Sequence, residues 1–490
     1  MVSSSNGGNG PPCCTPPPDV ITGTFNGLPN GSLFSAGGYT FRINYTVNDV
    51  VLTLWGVPGN TVTLNAVSQG WYNSAGTGET GNYSAGEDNG ISNTNIYRNW
   101  FVFNVPVSSN SIIHAELLIN DYYNSSPNGQ ETYLLRKVAT PIATLEAVGS
   151  GHVGIYNDLG TGAVYSVRSI ATNEALQTAI IPLNVQFFND ATAASGGQIA
   201  LGGSIATLGA VNNHNQYLFG YSVGAPGDVQ LRLTYGTSVV INTANRGWYN
   251  NLGNHTASNP NYYVGDDGVN LNRDFFVFNL PVLSSSQLVD AELLVNSYTN
   301  LSPSGVETYQ LYDVTNSITV LTNNASVTTN VYADLGSGAV YGGRNVYVSE
   351  SGLISSIPLN GSFVAAALAN SGGRIALGGA LTSLNPVPTT EYLFGYSSGL
   401  PTDAQLWLGF LTAPASHPSF VGGTPTYLGN NQFQLTVSGT TGTTNEIQGT
   451  FDFQNWDFIR DLVMTNSTTS FQYINNTVVP YRFFRAEQLQ

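Results

Sequence analysis

The sequence predicts an all-β protein with two tandem jelly-roll-type β-sandwiches followed by a small C-terminal β-sandwich. The first observation is an internal repeat, because RDFFVFNLPV at 273–282 closely matches RNWFVFNVPV at 98–107. The match extends at a shift of about 176 residues, and so long a period indicates a whole domain rather than a solenoid repeat of roughly 20–50 residues. The second observation is that each copy consists of short apolar or alternating runs separated by Gly, Asn, Asp and Pro, which is typical of sandwiches.

The chain divides into five predicted segments. These are a Pro/Gly-rich tail (1–18), an N-terminal β segment (19–56), jelly-roll repeat 1 or copy 1 (57–236), jelly-roll repeat 2 or copy 2 (237–412), and the C-terminal β-sandwich (413–490). Cys13 and Cys14 are adjacent within the tail, where no histidine or further cysteine completes a metal set. We interpret these two cysteines as incidental.

The composition favours an extracellular or cell-surface protein. Charged residues make up only 9% of the chain, against about 25% in a typical domain, and Gly, Asn, Ser, Thr and aromatic residues replace them. The formal net charge is −16, and Lys137 is the only lysine, which argues against nucleic acid or anionic membranes as partners. No apolar run is long enough for membrane insertion. Because the first residues lack the apolar stretch of a signal peptide, we expect either a mature chain or a fragment of a longer reading frame.

Two flanking segments resemble known modules. GTFNGLPNG and NDVVLTLWG, within residues 23–56, resemble the closing rungs of passenger-type β-helices, which implies that the chain is the C-terminal part of a larger surface protein. FQLTVSG, FQNWDFI and YRFFRA near the C-terminus resemble a small β-sandwich appended to many secreted proteins of environmental bacteria. That resemblance implies a stalk-like or sorting-adjacent role.

The repeat itself carries strand motifs that both copies share. They include an arginine followed by an aromatic strand, at Arg98 and Arg273, and an A-E-L strand that begins at Ala115 and Ala291. The repeat resembles the carbohydrate-binding-module-like jelly rolls of secreted bacterial proteins, the DNRLRE-type modules, and this implies the fold more than a ligand. Copy 1 departs from the pattern where copy 2 has Asp313. One Ala-rich stretch per copy, at 185–194 and 362–370, predicts a short helix that ends at glycine.

The motifs for catalysis are weak, and we predict no enzyme. Gly-x-Ser-x-Gly occurs around Ser222 and Ser397, but a nucleophile elbow needs a helix after it, and proline or glycine and a further strand follow here. No histidine recurs in both copies, which argues against a triad. Several carboxylates do recur, and they fit turn and edge positions as well as a glycosidase pair. They are Glu116/Glu292, Glu131/Glu307, Asp158/Asp334, Glu174/Glu350 and Asp228/Asp403.

Two acidic turns are candidates for a structural calcium. Glu87-Asp88 and Asp266-Asp267 occupy corresponding places, each after an Asn-Tyr pair, and loops of Asp, Asn and Gly supply the oxygen ligands that calcium prefers. No D-x-D-x-D-G spacing is present. A solvated acidic turn without metal explains the same residues.

The candidate ligand-binding residues are those of the repeated Gly-Trp-Tyr-Asn motif. They are Trp71, Tyr72, Asn73, Trp248, Tyr249 and Asn250. Aromatic rings stack on the apolar faces of sugars and asparagine binds their hydroxyls, whereas core packing of the tryptophan is the alternative.

Three functions remain open from the sequence. The first is a secreted, non-catalytic protein that binds extracellular glycan through tandem sandwiches and gains avidity from them. The second is a subunit or spacer of an extracellular fibre or surface layer, whose partners are neighbouring copies of itself. The third is the non-catalytic C-terminal part of a larger secreted enzyme or autotransporter-like protein.

Overall fold

A computed structural model describes most of the chain. The described residues are 33–36, 39–45, 50–56, 60–87, 96–209, 215–220, 222–225, 227–283, 288–385, 389–395, 397–411, 419–420, 426–429, 432–438, 442–450, 457–466, 468–474 and 483–488. The predicted tail with Cys13 and Cys14, and most of the Pro-rich stretch at 414–425, lie outside these ranges. The chain forms two compact units, one that includes both copies up to residue 412 and one that includes the C-terminal residues 413–490. Among the described residues, no helix combines the length and apolar character needed to cross a bilayer.

The N-terminal segment is a three-stranded antiparallel meander. Its strands are β1 (Leu33–Ala36), β2 (Tyr39–Tyr45) and β3 (Val50–Gly56), with β2 in the middle. Successive rungs of a β-helix pair in parallel, so residues 33–56 do not have the arrangement that the β-helix resemblance implies. Turn sequences of two to four residues between the strands favour antiparallel hairpins instead.

The described residues of copy 1 form three short helices and twelve strands, the last of which continues into copy 2. They are β4 (Thr61–Asn65), β5 (Ser68–Asn73), β6 (Gly78–Thr80), β7 (Ala85–Glu87), β8 (Ile96–Asn104), β9 (Ser111–Asp121), β10 (Gln130–Lys137), α1 (Ile142–Leu145), α2 (Val153–Asp158), β11 (Val164–Ala171), β12 (Gln177–Leu183), α3 (Val185–Ala193), β13 (Gln198–Ile205), β14 (Gln216–Leu218) and β15 (Val229–Asn242). One sheet has the order β11-β10-β13-β8-β5-β6, with β7 and β14 attached, and the other contains β12, β9, β15 and β4.

Copy 2 repeats this arrangement. Its elements are β16 (Asn245–Asn250), β17 (Val264–Asp266), β18 (Leu271–Asn279), β19 (Leu288–Ser297), β20 (Val306–Asp313), α4 (Ile318–Thr322), α5 (Thr329–Asp334), β21 (Val340–Tyr347), β22 (Leu353–Pro358), α6 (Gly361–Ala369), β23 (Arg374–Leu381), β24 (Glu391–Leu393) and β25 (Ala404–Phe410). The sheet β21-β20-β23-β18-β17-β24, with β16 on β18, packs on the sheet of β22, β19 and β25. Between them lies a core that includes Phe276, Phe278, Leu293 and Leu406. The all-β, sandwich-type fold that the sequence predicts is therefore confirmed.

The helices differ in number from the prediction. The two expected helices are α3 and α6, and each begins at an asparagine, Asn184 or Asn360, whose side chain accepts hydrogen bonds from the first turn. The expectation of one helix per copy was wrong, because α1, α2, α4 and α5 are also helical. These segments have four to six residues, too few for a helical period to show in the sequence. They cover the outer face of the larger sheet in each copy, where Leu145 packs on Tyr72 and Leu321 on Tyr249.

One strand belongs to both copies. Residues 229–236 of β15 pair with β9, and residues 237–242 of the same strand pair with β25. The predicted boundary at 236/237 therefore lies inside a strand, and the two copies share one sheet of order β12-β9-β15-β25-β19-β22. Gly236 lies at the crossing point, where a Cβ atom would come 2.2 Å from the Phe410 carbonyl oxygen. Only glycine allows the strands to approach this closely.

The C-terminal unit is a separate, smaller pair of sheets. Its strands are β26 (Ser419–Phe420), β27 (Thr426–Gly429), β28 (Gln432–Ser438), β29 (Thr444–Thr450), β30 (Asp457–Val463), β31 (Thr468–Ile474) and β32 (Phe483–Gln488). One sheet joins β26, β27 and β31 to β28, and the other has the order β30-β29-β32. Its core contains Leu435, Val437, Ile447, Leu462 and Met464.

Candidate functional site

The tyrosines of the Gly-Trp-Tyr-Asn motif are core residues. Tyr72 and Tyr249 are both 0% exposed, because they face the side of the sheet that α1 or α4 covers. The Tyr72 hydroxyl donates to the Leu145 carbonyl oxygen at 2.8 Å, and the Tyr249 hydroxyl donates to that of Leu321 at 3.1 Å. The prediction that these tyrosines bind a ligand is therefore wrong, since the rings and hydroxyls are already occupied within the fold.

The asparagines of the motif close turns. Asn73 and Asn250 are buried, and their Oδ1 atoms accept the backbone N–H groups of Thr77 and Asn254, both at 2.9 Å. Side-chain acceptors of this kind replace backbone partners in tight loops. Asn73 and Asn250 are thus structural as well, which corrects their predicted contact with ligand.

The two tryptophans lie on the opposite face of the same strands and remain partly exposed. Alternation along a strand explains the split, because neighbouring side chains point to opposite faces. In copy 1, Trp71 meets the Tyr97 ring edge-on with centroids 4.8 Å apart. In copy 2, Trp248 meets Tyr263 at 5.4 Å with an interplanar angle of 51°.

Copy 2 adds a third ring that the sequence did not single out. Tyr263 lies 6.3 Å from Tyr392 between centroids, at an interplanar angle of 77°, and both rings are partly exposed. We call Trp248, Tyr263 and Tyr392 the copy 2 aromatic surface. In copy 1, Ser84 occupies the place of Tyr263, since it follows the corresponding Asn-Tyr pair. Copy 1 therefore lacks the middle ring of this surface, and the sequence signal for it was an extra tyrosine in one copy.

The acidic turn of copy 2 holds the middle ring in place. Asp267 Oδ2 accepts the Tyr263 hydroxyl at 2.9 Å and the Asn272 side chain at 3.2 Å, while Oδ1 accepts the Val269 and Asn270 amides. Burial alone would raise the pKa of Asp267, but these donors outweigh it and lower the pKa below its usual range. Asp267 is therefore an ionised carboxylate beside the aromatic surface.

The calcium site stays a prediction. Glu87 ends β7 and is partly buried, Asp88 lies outside the described residues, and Asp266 accepts the Gly268 amide at 2.8 Å. Within the described ranges, no three His, Cys, Asp or Glu side chains come close enough together to hold a metal ion. The oxygens of Asp267 are already engaged by protein donors, so this turn forms its hydrogen bonds without a cation.

The Gly-x-Ser-x-Gly serines lie in structural contacts. Ser222 is 6% exposed, accepts the Tyr83 amide at 2.9 Å and contacts Asn82 Oδ1 at 2.9 Å. The Ser397 hydroxyl donates to the Pro260 carbonyl oxygen at 3.0 Å. Histidines lie elsewhere: His255 Nδ1 contacts the Trp248 carbonyl oxygen, and His114 contacts Asp290. The geometry of these described residues contains no nucleophile–base pair of the kind an esterase needs.

The repeated carboxylates have structural partners. Asp158 and Asp334 accept backbone amides that precede α1 and α4, Glu174 and Glu350 pair with Arg168 and Arg344, and Asp228 and Asp403 accept the hydroxyls of Tyr122 and Tyr298. Each is thereby satisfied by a neighbour. The repeated fold by itself accounts for their recurrence.

A buried polar cluster joins the two copies, and it includes the recurring Glu116 and Glu292, whose proximity the repeat did not predict. His114 Nδ1 lies 2.9 Å from Asp290 Oδ2 and Nε2 lies 3.7 Å from Glu116, which also binds Arg232 at 3.0 Å. Burial lowers the pKa of His114, but the Asp290 and Glu116 carboxylates outweigh it and raise the pKa to about 9. Burial raises the pKa of the nearby Glu292, with Asp290 acting in the same direction. His114 and Asp290 correspond to each other in the repeat, so equivalent points of the two copies meet here.

Comparison with known proteins adds no family. No family model matches the chain, and no curated protein matches it. Among solved structures, the glycoside hydrolase domain of Endo-D from Streptococcus pneumoniae R6 aligns at 9% identity over 55% of this chain and 34% of that chain, with a TM-score of 0.10. So low a score carries no argument about fold or function.

Proposed function

We propose that this is a secreted, non-catalytic protein that binds extracellular glycan through aromatic side chains on its sandwich domains. The observation that carries the proposal is the copy 2 aromatic surface. Aromatic rings are usually buried when the fold has room for them, and the same strand buries Tyr249 completely while Trp248 stays partly exposed. Rings kept at the surface beside polar loops are the side chains that stack on sugars.

The chemistry of the described residues supports a binding role over catalysis. The Gly-x-Ser-x-Gly serines have structural partners, and the recurring carboxylates are held by arginine, tyrosine or backbone donors. The low charge and the wealth of hydroxyl and aromatic groups support an extracellular location.

Retention on polysaccharides tests the proposal. Wild-type protein should be retained by at least one member of a panel of plant, algal and bacterial polysaccharides. Trp248→Ala should weaken retention about tenfold, as truncation of an aromatic anchor does. Phe458→Ala is the matched control, because Phe458 is 60% exposed in the C-terminal unit, and it should bind as the wild type does. A wild type that no polymer retains would refute glycan binding.

The shared strand favours a second candidate, a structural spacer in an extracellular fibre or surface layer. Because β15 runs through both copies, pulling them apart requires breaking one continuous sheet. Self-association at micromolar concentration, measured by light scattering in the absence of glycan, would favour this role.

A further inference from the structure

The copy 2 aromatic surface has features that restrict the kind of glycan it binds. Resting on the proposed function, we infer that this surface is the binding site of the tandem pair and that it takes a single, uncharged polysaccharide chain. Trp248, Tyr263 and Tyr392 form the contact, and copy 1 has Ser84 rather than a ring in the place of Tyr263.

The tilt of the rings argues for a single chain. A flat crystalline polysaccharide face requires rings that lie in one plane, whereas the interplanar angles here are 51° between Trp248 and Tyr263 and 77° between Tyr263 and Tyr392. Rings that are inclined to one another by these angles can stack on different faces of successive sugars in a twisted chain. The Asp267 hydrogen bond fixes the Tyr263 hydroxyl at 2.9 Å, so part of this geometry is formed before any ligand arrives.

The charges around the surface argue for an uncharged chain. Asp267 is ionised beside Tyr263, and the adjacent Asp266 adds a second carboxyl group. The arginines on β16 and β18 are engaged: Arg246 pairs with Asp403 at 3.3 Å, and Arg273 donates to two carbonyl oxygens of α5. A uronate or sulfate chain would therefore meet like charge, and the described arginines on β16 and β18 are already engaged, in a protein whose net charge is −16.

Copy 2 also differs from copy 1 beneath the tryptophan. Asn272 replaces the Tyr97 ring and is the diagonal cross-strand neighbour of Trp248, since Asn250 pairs with Asn272 and Trp248 with Asp274. Asn272 is 3% exposed and its Oδ1 has no hydrogen-bond partner among the described residues, nor does Trp248 Nε1. The Trp248 ring can therefore turn toward a ligand without breaking a protein hydrogen bond, and the ring it contacts is Tyr263 of the same surface, whereas the Trp71 ring contacts Tyr97.

Affinity electrophoresis with defined polymers tests the inference. The probes are soluble xyloglucan, mixed-linkage β-glucan and galactomannan as neutral chains, alginate and polygalacturonate as anionic chains, and crystalline cellulose in a pull-down. We expect a neutral soluble chain to retard the wild-type protein. Tyr392→Ala and Tyr263→Ala should each lower the affinity about tenfold, and Trp71→Ala should lower it less than about twofold. Tyr263→Phe keeps the ring and loses only the hydrogen bond to Asp267, so it should lose less affinity than Tyr263→Ala. A melting curve for each variant shows whether a loss of affinity comes from the lost contact or from misfolding.

The outcomes separate the inference from the proposed function. Binding that is confined to anionic polymers or to crystalline cellulose would overturn the inference while leaving glycan binding intact. Equal losses for Trp71→Ala and Trp248→Ala would do the same, because both copies would then bind. If none of the polymers binds the wild type, the inference and the proposed function both fail.

Discussion

Asn99 and Asp274 occupy corresponding positions in the cores of copy 1 and copy 2. They differ at one atom, the amide nitrogen of Asn99, which is a carboxyl oxygen in Asp274. Asn99 Oδ1 accepts the Tyr133 hydroxyl at 2.7 Å and its Nδ2 donates to the Tyr83 carbonyl oxygen at 2.8 Å. Asp274 Oδ1 likewise accepts the Tyr309 hydroxyl at 2.8 Å, but Oδ2 is buried without a partner among the described residues. Burial raises the pKa of Asp274 well above its usual range, which favours the protonated, neutral carboxyl group in the folded core.

Asp274→Asn should therefore stabilise the protein by about 1 kcal/mol at pH 8. Because the pKa of Asp274 is raised in the folded state, the folded protein keeps a proton that the unfolded carboxyl group releases near pH 4. The stabilisation from this bound proton is complete below that pH and falls as pH rises. The amide needs no proton, and the gain should grow from pH 5 to pH 8 in urea unfolding.

Asn99→Asp is the matched control for that substitution. It should cost about 1–3 kcal/mol, with a larger loss at higher pH, because it places a new carboxyl group in the core of copy 1. An Asp274→Asn protein that is less stable than the wild type at pH 8 would contradict a neutral Asp274.

The candidate site was predictable in part at this scale. The repeated motif located the strand that carries Trp248, but which side chain of Trp-Tyr-Asn faces outward depends on where α4 lies, and α4 is too short to show a period. Tyr263 and Tyr392 are about 130 residues apart in the chain, and only the pairing of β17 with β24 brings them together. A single sequence does not reveal that pairing.

At the scale of the elements, β15 decides how the copies are joined. The sequence repeat predicted a boundary between the copies at 236/237, and the structure has one strand across it. The repeat did not predict that the strand continues through this boundary without a turn, because a match between the two copies contains no information about the junction between them. The continuous strand replaces the linker expected between tandem domains.

Gly236→Ala should destabilise the first unit by about 1–3 kcal/mol, the usual cost of overpacking. The new Cβ would lie 2.2 Å from the Phe410 carbonyl oxygen of copy 2 and 2.6 Å from Ile113 of copy 1, so both copies must shift. Gly361→Ala is the control, since a Cβ there meets nothing within 4 Å at the first turn of α6. Thermal unfolding followed by circular dichroism measures both variants, and an unchanged Tm for Gly236→Ala would show that the strands are not this close.

At the scale of the whole molecule, the buried cluster at the junction of the two copies predicts that the stability of the first unit depends on pH. His114 faces Asp290 and Glu116, and Arg232 faces Glu116. Glu292 accepts the Val185 amide at 3.1 Å and the Ser356 hydroxyl. Both raised pKa values mean that the folded state binds more protons than the unfolded state, so stability falls as pH rises.

We expect the free energy of unfolding of the first unit to fall by about 1–3 kcal/mol between pH 6.5 and 9.5. The His114 contribution is complete below the unfolded pKa of about 6.5 and is lost as pH rises through its folded value of about 9. Urea unfolding across this range measures the slope, and Glu292→Gln should reduce it because the amide cannot lose a proton. A flat profile for the wild type would contradict a charged His114 at the junction.

The most direct test of the functional account compares two neighbouring residues, Trp248 and Tyr249, in binding and in stability. Trp248→Ala should lose most retention on the polymer that binds the wild type, with a Tm close to the wild-type value, because the ring is partly exposed. Tyr249→Phe should bind like the wild type but lose about 1 kcal/mol of stability, since it removes only the hydroxyl that donates to the carbonyl oxygens of Val320 and Leu321. The reverse result, with binding lost on Tyr249→Phe and kept on a folded Trp248→Ala, would contradict the account.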